Sequence, residues 1–187
     1  LDPTWVPFCR ELWSSAEQQQ NYLPGVPEGS DLCITPVSAP ENHYVRIKAD
    51  NRLEADGTLR GTFTLTAEGQ SDSNIRRIFT TGFQSEWKST MERQLLAISP
   101  KARLLSVDYG KNPKDYQAAP IKITFRYEIP DYALRGEGEM FFRPMVMNNL
   151  YNQVRSYIWI DTSVENRKYG FKDGCSRLVE LDETIQL

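Results

Sequence analysis

One histidine, His43, and three cysteines, Cys9, Cys33 and Cys175, are the side chains in this 187-residue chain on which nucleophilic catalysis would draw. A hydroxyl or thiol nucleophile needs a base, and the base needs a group to orient it, so a triad built within the chain would have to use His43. His43 follows Pro40-Glu41-Asn42 at the entrance to a strand pattern, and a solvent-exposed turn residue is the expectation there. The cysteines form no Cys-x-x-Cys pair and are odd in number. They indicate neither a disulfide framework nor a thiolate metal site, and they leave the redox compartment open. Hydrolysis by carboxylates alone would need two of them opposed across a cleft, whereas here they are scattered through turns and solvent faces. Asp50 to Gly61 lacks the ligand order and distal Glu of a calcium loop. Gly136-Glu137-Gly138 sits inside a strand pattern, lacks a third glycine and precedes no helix, so it is no phosphate cradle. Neither a metal nor a cofactor is expected. There remains Leu1-Asp2-Pro3-Thr4, which by itself is a common strand exit: Asp bonds the backbone two residues on and Pro enforces the turn.

The elements that would position these residues fall into three stretches. Residues 1–42 carry Pro7, Pro24, Pro27, Pro36 and Pro40 after the opening Pro3, which reads as an irregular arm lying over another surface. Residues 43–147 read as an α+β domain. Val45, Ile47 and Ala49 alternate with polar residues, as do Phe63, Leu65 and Ala67, and Asp56-Gly57 between them predicts a β-hairpin. Ser71-Asp72-Ser73 offers a helix cap, and Ile75, Ile78, Phe79, Phe83, Trp87, Met91, Leu95 and Ile98 come after it at spacings of three or four up to Ser99-Pro100. Thr80-Thr81-Gly82 predicts a break there into two helices. The Phe83 and Trp87 stripe is expected to pack on a sheet. Period two returns at Leu105, Val107 and Tyr109, at Ile121 to Ile129, and at Leu134, Met140 and Phe142, predicting three more strands. The order β-β-α-β-β-β gives one antiparallel sheet with a helical layer on one face. Residues 148–187 read as the start of a further, truncated β-rich segment, with a short helix around Leu150 to Ile158 and one or two strands in Arg177 to Leu187 whose partner is expected outside the chain.

Composition narrows the classes of function. With 40% hydrophobic and 25% charged residues the chain is globular and not disordered. A formal charge of -3 and the lack of a basic run argue against nucleic acid or an anionic membrane as partner. No apolar stretch approaches the roughly 20 residues of a spanning helix. The chain opens on Leu and is expected to be a piece of a longer protein.

Leu1-Asp2-Pro3-Thr4, the run from Tyr22 through Pro24-Gly25 to Pro36, and Pro40-Glu41-Asn42 leading into the hairpin resemble the end of the core in bacterial transglutaminase-like proteins, members of the papain-like superfamily. In that family a β-rich domain precedes the core and an uncharacterised α+β domain comes after it. The resemblance implies that Asp2 is the third member of a Cys, His, Asp triad, whose task is to accept the imidazole N–H and stabilise the imidazolium. The family order puts Cys and His upstream of that Asp, so Cys9, Cys33 and Cys175 stand on the wrong side of it. The implied protein is a non-catalytic accessory domain of a cysteine protease or acyltransferase in an extracytoplasmic, cell-envelope setting. Its implied partners are the parent's core and the preceding β domain. The other reading is a free-standing extracytoplasmic module that binds a ligand on the sheet face opposite the helices, or a partner strand of a protein or peptide along an open edge. An arm deprived of its core is expected to lie loosely or to fold back through Trp5, Phe8, Trp13 and Leu23.

Overall fold

The computed structural model describes residues 17–118, 120–148, 150–151, 165–170 and 176–187. Of the proline-rich arm it includes β1 (Asn21–Tyr22) and β2 (Cys33–Ile34), paired antiparallel, and a 3-10 turn at Pro40–His43. Leu23, Leu32, Ile34 and Val37 are exposed, so Leu23 is not folded back onto the domain. Trp5, Phe8 and Trp13 lie outside the described residues.

Alternation then builds the sheet. Along β3 (Val45–Leu53) every odd-numbered residue is buried and every even-numbered one exposed. β4 (Leu59–Ala67) turns Leu59, Phe63, Leu65 and Ala67 the same way and pairs antiparallel with β3 over its whole length. In the predicted hairpin turn Asp56 Oδ1 accepts the Thr58 N–H at 2.9 Å, and Gly57 at φ +83° takes a left-handed backbone that a side chain would strain.

Two helices cover the apolar face. α1 (Gly69–Thr80) and α2 (Trp87–Leu96) are separated at the predicted break and contribute Ile75, Phe79, Trp87, Met91 and Leu95 to the core. α1 begins before the predicted cap, because the cap residues are engaged otherwise. Ser71 Oγ donates to the His43 carbonyl at 2.9 Å, and Asp72 grips Arg76. Phe83, expected in the buried stripe, is 77% exposed. It sits in the non-helical break, where the 3.6-residue period that would turn it inward no longer applies. Trp87 is buried as predicted, 5.2 Å from Phe79 and 5.5 Å from Tyr109, both edge to face.

β5 (Arg103–Asp108) and β6 (Ile121–Ile129) come next, antiparallel to each other, with β6 antiparallel to β4. A register shift between Leu104 and Ser106 alters the expected Leu105, Val107, Tyr109 face at its first residue: Val107 and Tyr109 pack on the core as expected, but the extra residue leaves Leu105 54% exposed and turns Leu104 inward in its place. The predicted strand at 134–142 is instead a separate ribbon, β7 (Leu134–Arg135) with β8 (Met140–Phe141). Both edges of β6 are already taken by β4 and β5, so the chain beyond it has no place beside it.

β9 (Val179–Gln186) completes the sheet by pairing parallel with β3, in the order β5-β6-β4-β3-β9. The α+β class with helices on one face stands, but the sheet is mixed and not wholly antiparallel. The strand predicted at the end of the chain finds its partner in β3, inside the chain. Leu150 and Tyr151 are buried, while Val154, Tyr157 and Ile158 lie outside the described residues.

Candidate binding face

Asp2, Cys9 and Cys175 lie outside the described residues. Cys33 is half-buried in β2, and its thiol donates to the Asp31 carbonyl at 3.7 Å. His43, expected in solvent, is fully buried. The docking of α1 covers it: its Nδ1 accepts the Gln70 N–H at 3.1 Å in the first turn of that helix, satisfying one of the donors that a helix start leaves open. Nδ1 is the atom that a triad histidine turns to its orienting carboxylate; here it is a helix cap. Burial, and after it the positive charge of Arg177, lowers the His43 pKa below its ordinary value.

That shift has a sign. The folded protein holds His43 neutral while the unfolded chain protonates it near pH 6.5, so the unfolded state binds more protons as pH falls through that value. Stability should be fully present above about pH 6.5 and decline as pH drops towards the lower folded-state value, by at most about 1.4 kcal/mol per pH unit for one group. Urea midpoints between pH 8 and 5 should fall with acidification in the native chain and less steeply in His43→Gln. Parallel slopes would show that His43 is not the group responsible.

Chemistry-bearing side chains gather instead on the side of the sheet away from the helices. Arg46, Lys48, Asp50 and Arg52 of β3, Arg60, Thr62, Thr64 and Thr66 of β4, and Lys122, Thr124, Arg126 and Glu128 of β6 all point there, exposed or half-buried. Neighbouring strands complement one another over much of this face. Arg46 pairs with Glu180, Arg60 reaches Glu128 at 3.0 Å, and the Thr64 and Thr124 hydroxyls lie 3.2 Å apart. Exposed pairs of this sort contribute little stability.

At one end, the face sinks into a depression of about 360 Å³ that takes residues from all five strands: Leu105, Arg126, Arg60, Arg52, Asp50 and Thr184 among them. A polar knot beneath it ties three strands together. Tyr127 Oη donates to Asn51 Oδ1 at 2.5 Å, Asn51 Nδ2 donates to Glu183 Oε1 at 2.7 Å, and the Val146 N–H donates to Glu183 Oε2 at 3.1 Å. Burial raises the Tyr127 pKa far above that of a free phenol, so it remains a hydroxyl donor. Gly61 makes the knot possible, because a Cβ there would run into Asn51 Oδ1 and the Asp50 carbonyl.

Sequence pattern places these charged residues on a solvent face without distinguishing them. What it lacks is the register, which alone sets Arg52 directly opposite Arg60. Among the described residues no cluster of three or more His, Cys, Asp or Glu could hold a metal ion. No helix among them is long and apolar enough to cross a membrane. No family model, curated protein or solved structure matches the chain.

Proposed function

We propose that the chain is a non-catalytic interaction domain, the accessory portion of a larger transglutaminase-like cysteine protease or acyltransferase of the bacterial cell envelope. The observation that carries the interaction reading is the one-sided sheet: helices cover one face, and the other offers a charged, threonine-rich surface with a depression crossing all five strands. The resemblance of Leu1-Asp2-Pro3-Thr4 carries the family part of the proposal and makes the parent's core and the β domain before it the first partners. A free-standing extracytoplasmic binding module is the second reading, favoured by a depression that is already formed in the chain by itself.

Two measurements test the proposal. The 187-residue chain is expected to show no amidase, peptidase or transglutaminase turnover; a rate abolished by Cys33→Ala or His43→Gln, in a variant that still folds, would overturn the non-catalytic reading. The reading frame upstream is expected to encode a Cys and then a His. If it does, Thr64→Trp in the middle of the open face should abolish association of the chain with that upstream part, and undiminished association would remove the face as the docking surface. A frame without that Cys and His would leave the free-standing module.

A further inference from the structure

Arg52 of β3 and Arg60 of β4 are direct cross-strand partners, an arrangement that opposes like charges across a sheet and works against pairing. Arg126 of β6 lines the same depression, two register positions further in, opposite Thr62. The carboxylates at this end of the face only partly compensate the three guanidinium groups. Glu54 stands 3.5 Å from Arg52, and Glu128 is shared between Arg60 at 3.0 Å and Arg103 at 3.4 Å. The Arg126 guanidinium has no ion pair or hydrogen-bond partner among the described residues. Asp50, also in the lining, faces Thr62 across the β3–β4 pair.

We propose that this depression binds a carboxylate that is carried beside hydrogen-bond donors, as on an acidic side chain or the free C-terminus of a peptide. The inference rests on the reading of the open face as the binding surface, and it names the chemistry of one subsite there. A guanidinium presents its N–H groups in a planar fork that matches a carboxylate with two parallel bonds. Arg126, with Arg52 and Arg60 beside it, supplies that fork, and the ligand relieves the opposition of the arginine pair. Asp50 gives the ligand class its second half. It repels a bare dianion but accepts from the N–H groups that accompany a peptide carboxylate. The depression falls at the lower end of the volumes that bind small ligands, enough for the end of a peptide and not for a folded partner.

The probes are the tripeptide Ala-Ala-Glu, the amide Ala-Ala-Gln-NH₂, which keeps the N-terminal ammonium but has no carboxylate, and inorganic phosphate, titrated into the isotope-labelled 187-residue chain at low salt. Ala-Ala-Glu is expected to shift the backbone amides of Arg52, Arg60, Thr62 and Arg126. Arg126→Gln, an exposed substitution whose spectrum elsewhere should match the native one, is expected to weaken binding by about tenfold or more, the loss of one charge-assisted contact. The amide and phosphate should each bind at least about tenfold more weakly than Ala-Ala-Glu, for the same reason. Equal binding of the amide, tighter binding of phosphate, or undiminished binding by Arg126→Gln would each overturn the carboxylate site. Shifts confined to the Thr64 and Thr124 region would sink the site while leaving the open face as a binding surface. No shift anywhere on the face, together with unaltered association of Thr64→Trp, would sink both.

Discussion

Asp72→Ala is expected to lower unfolding free energy by about 3–5 kcal/mol, the loss seen when one member of a buried ion pair is removed. Asp72 and Arg76 are 1% and 4% exposed and lie one turn apart on α1. Arg76 Nε donates to Asp72 Oδ2 at 2.6 Å and Nη2 to Oδ1 at 3.0 Å, while the Ile121 N–H donates to Oδ1 at 2.7 Å. Arg76 Nη1 continues the chain of bonds to the carbonyls of Pro113 and Asp115, at 3.0 and 2.8 Å. The pair therefore ties α1 to the 111–118 loop and to the first residue of β6. Without Asp72, the buried guanidinium loses the carboxylate that grips it at both Nε and Nη2. Replacing both members, as in Asp72→Leu with Arg76→Met, should recover only part of the loss. The Ile121 donor and the two loop carbonyls would still be left without their partners, at about 1–3 kcal/mol for each that water cannot reach. Urea denaturation of both single variants and the double variant closes the cycle. A single-variant loss below about 1 kcal/mol would mean that the pair is neither as dry nor as tightly bound as its geometry indicates.

Trp87→Ala should have a loss of the same order, about 3–5 kcal/mol, for a different reason. Trp87 opens α2, and its ring packs on Phe79 of α1 and on Tyr109 beyond β5, while its Nε1 donates back to the Phe79 carbonyl at 3.3 Å. Lys114 stands over the same ring at 5.8 Å. Truncation opens a cavity where two helices and the sheet meet, and it removes the edge-to-face contacts that exceed simple area burial by about 0.5–1.5 kcal/mol each. Trp87→Phe should restore most of the packing. Phe83→Ser, four residues earlier but 77% exposed, should alter stability by less than about 0.5 kcal/mol. If Phe83→Ser proved the more damaging of the two, the aromatic contacts of Trp87 would not be what joins α1 to α2.

That contrast marks where sequence reading succeeds here. Alternation is unbroken in β3 and β6, and interrupted in β4 only at Gly61, because each lies inside the sheet with one face on the helices, so period and burial coincide. Thr80-Thr81-Gly82 locates the helix break, but not its consequence: a break resets the helical phase, so Phe83 leaves the stripe while Trp87 stays in it. Leu105 departs from its expected face because a bulge inserts one residue, so that the alternation before it, with Leu104 inward, is out of phase with the Val107 and Tyr109 face beyond it. His43 has the polar neighbours of an exposed turn, and only the arrival of α1 over it explains its burial. Asp72 reads locally as a cap, while its actual partners include Ile121, far along the chain. The arginine group is not legible at all, since charged residues alternating with apolar ones describe any solvent face until the register is known.

The parallel pairing of β9 with β3 sets an order on folding. Arg46 and its partner Glu180 are 134 residues apart, so the pairing that covers the edge of β3 must close a long loop and is slow compared with the β3–β4 hairpin. Until that pairing forms, a nine-residue strand presents one edge of unpaired backbone. Arg46, Lys48 and Arg52 stand on it and disfavour association with a second nascent copy of the same strand, whereas the Glu180 and Asp182 of β9 attract it when it emerges. Until then Asn51 also lacks Glu183, so the knot beneath the depression closes last. The depression, which takes Thr184 and Gln186 from β9, is consequently complete only once that last strand has docked.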